Sequence, residues 1–210
     1  MARLVLILAR SGTGKSTSLR NFKKGEAVAV LCSGKELPIK TDIVTFVPRN
    51  YGDVYAGILQ AKAPVVVLDD VNYLMSFEEM QMANVKGYEK FNLMAQNMYN
   101  VFKTILDKEG DQTFYVLAHA AETTEDDQQL RFKTTGKMLS DKIVLEGLTN
   151  IVIGAGMEDG EFVFKVETDG HGIKTPMGMF DTPTIPNDLK ALDETIRKYY
   201  EPTTKPEGDK

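Results

Sequence analysis

With 210 residues, 42% of them hydrophobic and 26% charged, the chain has the composition of one soluble globular domain with a sizeable core. A formal net charge of -5 gives no overall pull toward nucleic acid or an anionic membrane, so any polynucleotide contact calls for a local basic patch. Cys32 is the only cysteine, which excludes an intrachain disulfide and a cysteine zinc cluster and suits a reducing compartment; no stretch approaches the roughly 18 apolar residues of a membrane span.

The chain opens on residues 4–17, LVLILARSGTGKST. A short run of branched apolar residues reads as a buried strand, and it lacks the build and cleavage site of a signal peptide. It breaks into a glycine-bearing loop followed by Lys15, Ser16 and Thr17, the shape of a phosphate-binding P-loop. Gly12 and Gly14 carry no Cβ, so the backbone can take positive φ and bring several N–H groups onto phosphate oxygens. Arg10, Ser11 and Thr13 complete the loop. A helix over residues 15–22, starting near Gly14, is expected to add its free N-terminal amides. Lys15, expected to stay solvated until phosphate arrives, supplies a full charge for the β- and γ-phosphates, and the Ser16 hydroxyl is a hard oxygen for Mg²⁺. Thr17 is placed beside the α-phosphate. One position departs from G-x-x-x-x-G-K-[ST]: Ala9 stands where the pattern has glycine, a tolerable change if its φ is negative.

A second strand is expected over 27–31, a loop over 32–40, and a third strand over 43–47 ending at Pro48. Asn50 or Asp53 caps a helix with Val54, Ile58 and Leu59 on its apolar face, which Pro64 ends. The strand 65–68 runs into Asp69 and Asp70, the Walker B arrangement in which a buried strand delivers a carboxylate to a nucleotide. Asp69 is the expected Mg²⁺ residue, directly or through water, and Asp70 a group to polarise the attacking water. Residues 73–85 are ambiguous. A long helix over 88–108 carries Phe91, Met94, Met98, Phe102 and Ile105 on one face, read as core, and Gly110 stops it.

The next strand, 113–118, has His119 at its tip. Two readings stand for this histidine: a polar sensor facing the γ-phosphate, or a side chain satisfied by a loop carbonyl. Residues 121–136 are polar, first acidic and then basic, and read as a solvated loop. From there Arg131, Lys133 and Lys137 can reach a phosphate of a neighbouring subunit's nucleotide or of a nucleic-acid strand. A helix over 138–146, a strand over 150–155, a turn at Asp159-Gly160 and a returning strand over 161–167 predict a hairpin at one sheet edge. Loop 170–180 holds His171, read as a turn residue, and Lys174. The last helix begins at Asn187 with Leu189, Leu192, Ile196 and Tyr199 inward, and a disordered tail over 201–210 follows a single domain over 1–200.

These motifs, ARSGTGKST, VVVLDD, the helix with YEKF, FYVLAH, TTGKML and KTPMGMF, resemble in their order the small phage-type P-loop ATPases that include Sak-type single-strand annealing proteins. The resemblance implies a RecA-like three-layer α/β sandwich with a mostly parallel central sheet and a C-terminal antiparallel hairpin. It further implies ATP binding and hydrolysis, homo-oligomers or filaments, and a role in phage recombination or replication in the cytoplasm of a bacterial host. It places Lys15 and Ser16 on phosphate and Mg²⁺, Asp69 on Mg²⁺, and His119 at the sensor position, in a fold that sets an additional strand between the P-loop and Walker B strands. RecA-like proteins often carry the catalytic glutamate after the second strand, where Glu36 is the nearest candidate and a rival to Asp70. SGTGKST also resembles kinase P-loops, so a small-molecule or nucleotide kinase is the second reading, disfavoured because only Arg131 follows His119 in the expected lid span. A nucleotide-binding switch with little turnover is the third. The absence of an N-K-x-D motif disfavours a GTPase, and base preference is not legible.

Overall fold

The computed structural model describes residues 2–121, 129–136, 138–168 and 170–201. Its centre is an eight-stranded sheet in the order β3-β2-β4-β5-β1-β6-β7-β8. The strands are β1 (Arg3–Ala9), β2 (Ala27–Leu31), β3 (Val44–Phe46), β4 (Val65–Asp69), β5 (Thr113–His119), β6 (Ile151–Glu158), β7 (Glu161–Lys165) and β8 (Thr184–Pro186). Neighbours from β3 to β6 pair in parallel, while β6 with β7 and β7 with β8 pair antiparallel. The helices are α1 (Tyr51–Gln60), α2 (Asn72–Gln81), α3 (Glu89–Leu106) and α4 (Leu189–Tyr200).

Strand periodicity sorts the core into two halves. Leu4, Leu6 and Leu8 of β1, with Val66 and Leu68 of β4 and Phe114 and Val116 of β5, pack on Val54 and Ile58 of α1, Leu74 and Met75 of α2, and Met94, Met98, Phe102 and Ile105 of α3. The alternate residues Val5, Ile7, Val65, Val67, Tyr115 and Leu117 pack on Leu19 and on Leu189, Leu192 and Ile196 of α4. The result is a three-layer α/β sandwich with a mostly parallel sheet and a C-terminal antiparallel hairpin, the class expected from the sequence. The hairpin turns at Asp159 (φ +50) and Gly160 (φ +84), two consecutive left-handed residues that match the twist of the strands they join.

The carboxyl ends of β1, β4 and β5 meet at one edge of the sheet. β5 pairs with β1 on one side and β4 on the other, so the strand ending in His119 lies between the phosphate-loop strand and the strand ending in Asp69. The crevice beyond such strand ends is where open α/β sheets hold ligands.

Several expectations change. The helix after the phosphate loop is a six-residue 3-10 helix, Ser16–Asn21, and not an α-helix over 15–22, so little helix dipole reaches the loop. No continuous helix spans 138–146: a π turn at Leu139–Ile143 and a 3-10 turn at Leu145–Leu148 are separated by Val144 at φ +53, a conformation that ends any right-handed helix. Leu59 is 58% exposed and Tyr199 41% exposed, each on the outer side of its helix; Phe91 only borders the core. The last helix begins at Leu189, two residues later than expected, capped by Asp188. The ambiguous 73–85 segment contains most of α2. The expected tail lies, from residue 202 on, outside the described residues, as do residues 122–128 and Lys137.

Candidate functional site

The loop leaving β1 turns on two glycines, Gly12 at φ +77 and Gly14 at φ +85. Gly14 is required twice over, because a Cβ there would also stand 2.7 Å from Cγ of Phe162 on β7. The Thr13 hydroxyl donates to the Arg10 carbonyl at 2.9 Å and closes the loop on itself. Ala9 is the last residue of β1, paired with His119, and is not among the residues of positive φ. Alanine therefore fits where the motif has glycine.

Lys15 is 5% exposed. Its Nζ donates to the carbonyls of Ala9 at 3.2 Å and Arg10 at 2.9 Å, so the ammonium is folded into the loop, contrary to the expectation that it is solvated. Burial lowers its pKa, against the raising effect of Asp70 and Asp69. The ammonium is thus held by two loop carbonyls within the electrostatic reach of two carboxylates.

Ser16 and Asp69 meet directly. The Ser16 hydroxyl lies 2.9 Å from both carboxylate oxygens of Asp69, across a sequence separation of 53 residues. Asp69 is 5% exposed at the end of β4. Burial first, and then the neighbouring Asp70, push its carboxyl up to about 6, opposed by the Ser16 hydrogen bond and by Lys15. Among the described residues no three His, Cys, Asp or Glu side chains cluster as a metal site. A hydroxyl and one carboxylate are nonetheless a fitting donor set for Mg²⁺, a hard ion that keeps several waters and takes its remaining ligands from phosphate.

Asp70 sits at φ +56 in the turn after β4. Its Oδ1 is 3.3 Å from Nε2 of His119, and that contact, against the opposing effect of burial, holds the carboxyl below its ordinary range. The histidine ring is set edge-on to Tyr73, with centroids 5.8 Å apart.

Ser11, Gly12, Gly14, Lys15, Ser16, Thr17, Asp70 and His119 line one small pocket together with Pro38. A larger cleft of about 670 Å³ adjoins it, sharing Ser11 and His119 and adding Arg10, Asn72, Tyr73 and Lys133 among its walls. Glu36 does not line the pocket; it is exposed on the loop after β2, which contributes Pro38 instead. Arg131 is exposed and its guanidinium bonds the Gln129 side chain, whereas Lys133 lines the cleft. Sequence reasoning missed Asn72, Tyr73 and Phe162. For Asn72 a signal existed, an amide two positions past an acidic pair at the start of a buried helix; for Phe162 only strand pairing brings it over Gly14.

No protein-family model matches the chain, and no curated protein matches it. Among solved structures, the X-ray structure of the Legionella pneumophila ATPase DotB is similar over 93% of this chain and 51% of that one, with 14% sequence identity and a TM-score of 0.37. The chain thus spans about half the length of that protein.

Proposed function

We propose that this chain is an Mg²⁺-dependent ATP-binding and ATP-hydrolysing protein, a RecA-like P-loop ATPase domain over residues 1–200 that acts as a homo-oligomer with single-stranded DNA in phage recombination or replication. The observation that carries the nucleotide reading is the Ser16 to Asp69 contact at 2.9 Å, which joins two distant motifs in one site beside Lys15. In this reading the amides of residues 11–17 and the Lys15 ammonium bind the polyphosphate, and Ser16 and Asp69 hold the metal. Mg²⁺ held there would supply charge neutralisation for the polyphosphate. Asp70, chosen over Glu36 because it lines the pocket, orients the attacking water and accepts its proton, and His119 fixes the Asp70 carboxylate while facing the γ-phosphate.

Support for a polynucleotide comes from the adjoining cleft. Arg10 and Lys133 offer charge for a phosphate backbone and Tyr73 a face on which a base can stack, a local basic and aromatic wall on an acidic protein. Arg131 and Lys137 serve either that strand or a neighbour's nucleotide. The same cleft favours one second reading, a kinase whose acceptor lies beside His119.

Phosphate release measured with and without single-stranded DNA, on wild type and Lys15→Ala, tests both readings. Hydrolysis is expected in the wild type, rising with DNA or protein concentration, and is expected to be abolished in Lys15→Ala. Turnover persisting in that variant rejects the assigned site. Transfer of phosphate to a nucleoside or metabolite with little free phosphate makes the kinase reading the correct one.

A further inference from the structure

Asn72 is the first residue of α2, three positions after Asp69, and only 6% exposed. Its carboxamide serves two other segments at once. Oδ1 accepts the His119 backbone N–H at 2.5 Å, and Nδ2 donates to the carbonyls of Lys133 at 2.5 Å and His119 at 3.4 Å. The segment 131–133 itself runs back along the end of β5: Lys133 N–H donates to the His119 carbonyl at 2.9 Å, Ala121 N–H to the Arg131 carbonyl at 2.8 Å, and Ala120 bridges Phe132 in antiparallel fashion. The segment is anchored to the core by Phe132, whose ring meets Phe102 edge-on at 5.9 Å and whose N–H donates to the Glu146 carboxylate. Asn72 therefore pins three strands of chain at a single point, the backbone of His119. The side chain of that residue meets Asp70 in the small pocket, and the pinned segment presents Lys133 to the large cleft.

We propose that Asn72 is a positioning residue that couples the two pockets. It sets the Asp70 to His119 contact by holding the tip of β5 against the turn after β4, and it makes the Lys133 wall of the cleft move with that tip. Only a side chain with a donor and an acceptor on one planar group makes both bonds. Aspartate keeps the acceptor for His119 but loses the donor and turns a charge on the Lys133 carbonyl; alanine loses both. A nucleotide that engages His119 and Asp70 then orders residues 131–133, and by reciprocity an anion in the cleft tightens nucleotide binding by the same factor. The coupling rests on the nucleotide reading given above, whereas the pinning of 131–133 to β5 does not.

Hydrogen–deuterium exchange on the full chain, with and without a non-hydrolysable ATP analogue and Mg²⁺, separates the two. In the wild type the nucleotide is expected to slow exchange at residues 10–17 and also at 131–133. In Asn72→Ala the slowing at 10–17 is expected to persist while that at 131–133 falls at least about tenfold, a factor equivalent to roughly 1.4 kcal/mol. Asn72→Asp is expected to keep protection at 119 and 120, whose amides are held by residue 72 and by Ala9, and to lose it at 131–133 and at Ala121, whose N–H donates to Arg131, a selective loss that general destabilisation does not produce, and this variant carries the test if the alanine one fails to fold. Equal slowing at 131–133 in wild type and variant overturns the proposal, as does a wild type that orders only the phosphate loop. A wild type with no slowing at 10–17 rejects nucleotide binding instead; unliganded exchange at 131–133 unchanged by either substitution then overturns the pinning as well.

Discussion

At the scale of single residues, the metal role proposed for Asp69 pulls against its surroundings. That role needs the carboxylate ionised, yet burial and Asp70 raise it from 3.8 to about 6. A carboxyl whose pKa is higher folded than unfolded contributes stability below the unfolded value, and that contribution is lost as pH rises through the folded one. Removing the charge with Asp69→Asn is therefore expected to stabilise the ligand-free protein at about pH 8 by on the order of 3 kcal/mol, with the difference shrinking toward zero near pH 4. Urea unfolding at the two pH values measures it. The same variant is expected to lose Mg²⁺-dependent nucleotide binding, so that stability and binding move in opposite directions. A loss of both at about pH 8 would mean that the carboxylate is stabilising where it sits.

At the scale of elements, α1 shows how local chemistry fixes a boundary. Both candidate caps take part: the Asn50 side chain accepts the Asp53 N–H at 3.0 Å, and the Asp53 carboxylate accepts the Arg49 N–H at 2.9 Å. Asn50→Ala is expected to cost about 1 kcal/mol of stability, read as a lower urea midpoint with an unchanged slope. Nucleotide binding is expected to be untouched, because α1 packs on the face of the sheet opposite the 3-10 helix that follows the phosphate loop. The 138–146 segment is the converse case. Its apolar spacing suits a helix, but the chain reverses hand at Val144 and the two short turns either side serve the core through Leu139 and Leu145. Packing of two separated leucines outweighs the propensity of nine residues whose helix would be short.

For the whole molecule, α4 is tied to the sheet by a buried polar network as well as by leucines. Tyr115 of β5 is fully buried, its hydroxyl 3.0 Å from Asp193 Oδ1, and Arg197 bonds the other oxygen at 2.6 Å while reaching the Pro64 carbonyl at 2.8 Å. Burial and the adjacent Asp193 hold the tyrosine far above its ordinary range, so it stays a hydrogen-bond donor at all working pH. Asp193→Ala strands the buried Tyr115 hydroxyl and removes the Arg197 Nε partner, and is expected to cost about 3 kcal/mol, more than Tyr115→Phe at about 1 kcal/mol. Thermal or urea unfolding of the two variants tests the order, and the reverse order would place the network's energy in the ring's packing. The Lys190 to Glu26 pair at the surface, half-buried and 2.8 Å apart, adds little by comparison.

What the sequence by itself determined is most of the strands, the long helix α3 and the glycine-bearing turn that follows β1. β2 has its expected limits, β5 and β4 end on the residues singled out, and α3 buries Met94, Met98, Phe102 and Ile105 as their spacing required. These features are local, since strand alternation, helical spacing, glycine and a terminal acid are read within a window of a few residues. Only the tertiary structure decided that Lys15 is buried, that Leu59 and Tyr199 face outward, that Asp70 pairs with His119, and that Asn72 joins β5 to residues 131–133. Each of these depends on which segment lies opposite, and a hydrogen bond across 47 or 61 residues leaves no period in the chain. The Ser16 to Asp69 contact lies between the two cases: both residue types are legible in the sequence, but their meeting requires β5 to be inserted between β1 and β4 so that all three strands end at one edge.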